Sequence, residues 1–156
     1  MRALTVLLAI VVLGASALAQ EQKEKKDKSL KLTDLPAAVQ KTVQENLKGA
    51  GIKSIGKEKE DGVEQYEIET VLNGKSRDFN VDTKGALLVV EEATTIDAVP
   101  AAAKAAILKK VADGKLGAVE TFVKTGQPMM YEAAYTDAKG KKHEALFKAD
   151  GAETKE

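Results

Sequence analysis

Leu35-Pro36-Ala37-Ala38-Val39 recurs 64 residues later as Val99-Pro100-Ala101-Ala102-Ala103, and this recurrence constrains the chain more than any other feature. A period of that length marks a repeated supersecondary unit rather than a chance tract. At the same shift Val39, Val43 and Leu47 fall on Ala103, Ile107 and Val111. Their spacing of four keeps each set on one face of a helix. Thr33 and Asp97, which also correspond, read as helix N-caps, and Pro36 and Pro100 then fall in the first turn, where proline is tolerated. Beyond the turn signals Asp61-Gly62 and Thr125-Gly126 the shift becomes 65, so that Tyr66-Glu67 meets Tyr131-Glu132. Beyond Asn73-Gly74 and Lys139-Gly140 it becomes 66, and Arg77-Asp78 meets His143-Glu144. Both insertions sit at hairpin turns, where a duplicated fold tolerates them and strands do not.

The expected fold class is α+β: two tandem units, each one helix packed on an antiparallel β-meander, with four strands in the first and three in the second. Expected helices span 34–48 and 98–112. The strands are expected at 52–60, 63–72, 75–82, 86–95, 116–124, 129–137 and 141–149, with a missing or rudimentary last strand. Asn73-Gly74 is the strongest hairpin turn. Alternation assigns Tyr66, Ile68, Leu72, Phe79 and Val81 to a helix-facing core, together with Met129, Tyr131, Ala133, Tyr135, Ala145 and Phe147. The opposite face carries Gln65, Glu67, Glu69, Ser76, Asp78, Asn80 and Asp82, then Met130, Glu132, Ala134, Thr136, Lys142, Glu144, Leu146 and Lys148. A face that polar is expected to meet water or a partner. A unit of about 60 residues buries only about 60% of its unfolded surface, so the two units must pack together or join into a larger sheet. Lys57-Glu58-Lys59-Glu60 alternates in sign along the first strand, which suits an edge guarded against aggregation or a charge-based docking site.

Before the first unit, Met1-Arg2, the apolar run Ala3–Leu13 and Ala17-x-Ala19 compose a secretory signal peptide over residues 1–19, cleaved after Ala19. The apolar run is shorter than the roughly 20 residues a membrane span needs. No stable membrane anchor is therefore expected after cleavage, and a periplasmic or extracellular location follows. Residues 20–31 form a charged linker, followed by unit one at 32–95 and unit two at 96–156. The chain has no Cys, which excludes disulfides and thiolate metal sites. With 24 basic and 24 acidic residues and 4% aromatics, it has neither the charge nor the stacking surface for nucleic acid.

Leu35-Pro36-x-x-Val39, Tyr66-x-Ile68 and Phe79-x-Val81-Asp82-x-x-Gly85 resemble the PepSY-like domain, a family grouped with the β-lactamase inhibitory protein (BLIP). The resemblance covers 31–96 and, more weakly, 97–152, where Lys148 replaces Asp82 and Asp150 replaces Lys84. It implies an exported binding module, inhibitor-like toward a secreted or envelope protein. No inhibitor motif is present to carry contact residues over.

Catalytic readings find little. His143 is the single His, and Ser29, Ser54 and Ser76 sit in no G-x-S-x-G elbow. Glu67/Glu69 and Asp78/Asp82 could approach one another, but acid catalysis needs a carboxyl whose pKa is raised by burial. Calcium binding by these acids is conceivable, yet Asp82-Thr83-Lys84-Gly85 reads better as a turn than as a calcium loop. Met129-Met130 has no third soft ligand beside it. Neither cofactor nor metal is expected, and the chain is read as a non-enzyme that binds an unidentified extracytoplasmic protein. Candidate contacts are Glu67, Glu69, Asp78, Met130, Glu132 and Glu144, with Met130 the apolar anchor. The alternative is a periplasmic small-ligand or cation-binding sensor using the acidic face of unit one.

Overall fold

A computed structural model describes residues 29–60 and 62–155. The signal peptide and most of the charged linker lie outside them. Eight strands form one antiparallel sheet in sequence order. They are β1 (Gly51–Glu60), β2 (Val63–Leu72), β3 (Lys75–Asp82), β4 (Leu87–Thr94), β5 (Lys115–Lys124), β6 (Met130–Thr136), β7 (Lys142–Lys148) and β8 (Glu153–Thr154). Helix α1 (Ala37–Leu47) precedes β1, and α2 (Ala101–Val111) lies between β4 and β5.

This corrects the expected fold class. The chain does not form two tandem helix-on-meander units of an α+β protein. Among the described residues it is mostly β, a single eight-stranded sheet with two α-helices. The joint is the ladder from Val89↔Lys124 to Thr94↔Val119. It pairs two strands that separate units would leave as bare, apolar edges, and such edges invite aggregation. The last strand, expected to be missing or rudimentary, is the two-residue β8, which pairs Leu146↔Thr154 and Phe147↔Glu153.

Both helices lie on one face. Val39 and Val43 of α1 are fully buried against Ile55, Tyr66, Ile68, Phe79 and Val81. Ala103, Ile107 and Val111 of α2 pack on Val119, Ala133, Ala145 and Phe147. Val90, which packs on the first cluster, is opposite Val123. Directly opposed residues share a face, so the two cores cover the same side of the sheet. Burying each such aliphatic side chain contributes roughly 1.5–3 kcal/mol.

Several local expectations shift. Thr33 and Asp97 lie in short 3-10 turns, and Pro36 and Pro100 themselves cap α1 and α2 with extended backbone. Met129, expected in the core, is 49% exposed and precedes β6, and Leu72 is half-buried outside both clusters. Asn73 and Gly74 have φ of 52° and 80°, the two positive values that a tight hairpin turn of the primed kind requires. Gly85 (φ +93°) brings its backbone against α1 so closely that an added Cβ would lie 2.9 Å from the backbone of Ala38. Thr42 Oγ1 donates to its carbonyl at 2.6 Å. Gly151 meets Ala102 of α2 in the same way, at 2.8 Å from its carbonyl oxygen.

Candidate functional site

The face away from the helices is open and concave, and its middle is a cleft of about 640 Å³. Every strand from β1 to β7 contributes to it, β1 through the consecutive residues Glu58, Lys59 and Glu60 and the others through alternating positions. Nine carboxylates line it, against Lys59 and Lys124 as the lining cations: Glu58, Glu60, Glu67, Glu69, Asp78, Glu91, Glu120, Glu132 and Glu144. The register sets Asp78 directly opposite Glu91 and Glu120 directly opposite Glu132. Like charges in that relation destabilise a sheet.

Individual acids are held differently. Asp78 accepts from the Thr70 N–H and from Ser76 Oγ, both at 2.7 Å, which fixes its carboxylate. Glu58 and Glu60 accept from Nε2 of the buried Gln65 at 2.9 and 2.6 Å. Lys53 lies 3.8 Å from Glu69 at the rim, an exposed pair of little energetic weight. Burial pushes the Glu120 carboxyl above the usual range, and the charges of Asp78 and Glu144 add to the shift.

Five of the six candidate contacts, Glu67, Glu69, Asp78, Glu132 and Glu144, line this cleft. Met130 does not present an anchor. It is 6% exposed and belongs to a small apolar cluster with Val89, Phe122 and Leu146, sunk into the same face. Sequence reasoning missed Glu91 and Glu120, whose strands had been given no face. The available signal was their period-two placement in β4 and β5.

His143 lies on the helix side, opposite Tyr135, on which its ring stacks at 5.1 Å. Its Nε2 is 2.9 Å from Asp137 Oδ2. That contact, with N–H donation from Lys141 and Lys139, holds the Asp137 carboxyl below its usual range. The pair closes the β6–β7 turn and has no nucleophile among its contacts. Among the described residues no three His, Cys, Asp or Glu side chains converge to hold a metal, and no helix is long and apolar enough to cross a membrane.

No protein-family model matches the chain, and no curated protein matches it. Its fold is shared by solved structures. One, from Bacteroides eggerthii and described as periplasmic, has 18% identity and a TM-score of 0.63, covering 78% of this chain and 86% of that one. A DUF2874 family protein from Bacteroides uniformis has 18% identity and a TM-score of 0.62, covering 77% and 86%. A BLIP-like protein from Bacteroides fragilis has 18% identity and a TM-score of 0.56, covering 78% and 84%. The chain therefore has a BLIP-like fold.

Proposed function

We propose that this protein is an exported, non-catalytic binding module that uses its concave sheet face to hold an extracytoplasmic protein partner through a basic surface. One observation carries the reading: nine carboxylates gathered in one cleft with two lysines, two pairs of them directly opposed across strands. The directly opposed pairs cost the fold stability, whereas an incoming Lys or Arg would relieve the repulsion and form charge-assisted bonds. The same field repels nucleic acid and anionic lipid. Export is supported by the residue pattern of 1–19 and by the fold shared with a protein described as periplasmic. An inhibitor-like role is supported by the fold shared with a BLIP-like protein. The PepSY likeness of the motifs is part of this reading, and the matching seats of Gly85 on α1 and Gly151 on α2 favour it. The cation-sensor alternative draws less support, because the acids are spread over seven strands rather than converging.

The test is capture from envelope and secreted extracts on immobilised residues 20–156, beside a variant with Glu67, Glu69, Glu132 and Glu144 changed to Lys. A stoichiometric partner held by the native chain, released by about 0.5 M salt and lost in the variant is the expected result. A partner that the variant retains would show that another surface binds.

A further inference from the structure

A second surface lies at the margin of the sheet, on β1, its outermost strand. The Ile55 carbonyl accepts from the Leu30 N–H at 2.9 Å, and the Ile55 N–H donates to Ser29 Oγ at 3.2 Å. The backbone groups of Ile55 thus face away from β2. In an antiparallel ladder this orientation alternates, so those of Lys57 and Lys59 face outward as well, while Glu58 and Glu60 bond inward. Residues 57–59 are exposed, and no described segment pairs with this stretch of the edge. Side chains alternate too. Ile55 is buried beneath α1, so alternation starts the Lys57 and Lys59 side chains from the helix side and those of Glu58 and Glu60 from the open side, while Lys59, near the end of the strand, also borders the cleft.

A second folded copy could approach only through its own outer edge, so outward residues would meet outward residues. A two-fold antiparallel pairing then sets Lys57 or Lys59 opposite Lys57 or Lys59, and Glu58 opposite Glu58 or Glu60 or beside Gly56. Each register with contact along this stretch opposes like charges. A free extended segment has both edges available and can slip by one residue, which sets acids against the two lysines and bases against the two glutamates.

We propose that the outer edge of β1 over Lys57–Glu60 is a strand-addition site for an extended partner segment with alternating acidic and basic residues, and that the same alternation refuses a second copy of this chain. Main-chain bonds to Lys57 and Lys59 provide attachment, and the charge alternation provides selection. The bases of such a segment enter beside Glu58 and Glu60, at the rim of the acidic cleft. The proposal does not depend on what the cleft binds.

The probe is an acetylated Lys-Glu-Lys-Glu-Lys-Glu peptide added to residues 20–156, read by residue-resolved amide hydrogen exchange. With peptide at ten times its Kd, exchange at Lys57 and Lys59 is expected to slow about tenfold, and that at Ile55 to stay unchanged. A peptide with N-methylated glutamates, and a hexalysine peptide, should give no protection. The native chain should sediment as a monomer. The double variant Lys57→Glu, Glu58→Gln should sediment as a dimer at high concentration, because position 57 then meets Lys59 of the other copy with opposite charge and position 58 no longer opposes a like charge. Unchanged Lys57 and Lys59 amides at millimolar peptide would overturn the proposal, as would a variant that stays monomeric. So would a native dimer with these amides protected, or protection in the free chain that vanishes when residues 20–28 are removed, since each assigns the edge a different occupant.

Discussion

Replacing Glu120 by Gln should stabilise the fold while weakening partner binding. Glu120 faces Glu132 directly across β5–β6, is half-buried, and feels Asp78 and Glu144 as well. A like-charge pair directly opposed destabilises a sheet by a few tenths to about 1 kcal/mol. The two more distant acids add less, because the cleft is open to water and its charges are screened. Removing the Glu120 charge is therefore worth about 1 kcal/mol at neutral pH, or about 3 °C in Tm for a chain of this size. The sign fixes the pH dependence. A carboxyl whose folded pKa lies above its unfolded value binds its proton more readily in the folded state. The penalty is therefore absent below the ordinary value of 4.5 and grows as pH rises through the raised folded value. Urea denaturation of both proteins at about pH 3 and about pH 7, with and without about 1 M salt, measures it. Equal or lower stability of the variant at neutral pH, or the same gain at acid pH, would refute the electrostatic account.

Three further outcomes follow from the packing and the turn chemistry. Gly85→Ala should destabilise by about 2–3 kcal/mol in urea denaturation, since it combines a left-handed backbone with a Cβ driven into Ala38, and a loss below about 0.5 kcal/mol would show that α1 shifts freely. Met130→Ala should lose about 2–4 kcal/mol although it sits on the open face, whereas its exposed neighbour Met129→Ala should change stability by less than about 0.5 kcal/mol. Asp137→Asn should be less stable than the native chain at neutral pH. The difference should close as pH falls through the lowered Asp137 pKa, because that group's contribution is complete above the ordinary 3.8 and is lost below it; a pH-independent difference would assign the effect to turn geometry.

Turns and strands were legible because each rests on local chemistry: Asn73-Gly74 demands positive φ, and Tyr66-x-Ile68 can alternate in only one way. The union of the sheet was not. Leu87–Val90 and the pair Phe122-Val123 are apolar at consecutive positions, which signals burial on both faces but names no neighbour. Only the ladder Val89↔Lys124 to Thr94↔Val119 supplies it. The same gap hid part of the site. Glu67, Glu69, Asp78, Glu132 and Glu144 were readable from alternation within single hairpins. Glu91 and Glu120 enter the cleft only once β4 and β5 are neighbours. Met130 read as an exposed anchor for the same reason: Phe122, which covers it, comes from β5, and that register exists only in the assembled sheet.

The order of the strands has a kinetic consequence. Each strand pairs with its neighbour in sequence, mostly across a short turn, and only β4 and β5 are separated by a helix. Short loops close quickly and lose little chain entropy, whereas the β4–β5 closure must span all of α2. Hairpins on either side should therefore form first and the central ladder last, which makes it the slow event of refolding. Until it closes, Val89, Val90, Phe122 and Val123 stand on two unpaired edges, and collisions between half-folded chains at that stage are the route to aggregation. Substitutions that weaken this ladder should slow productive folding and lower yield out of proportion to their effect on the stability of the finished sheet.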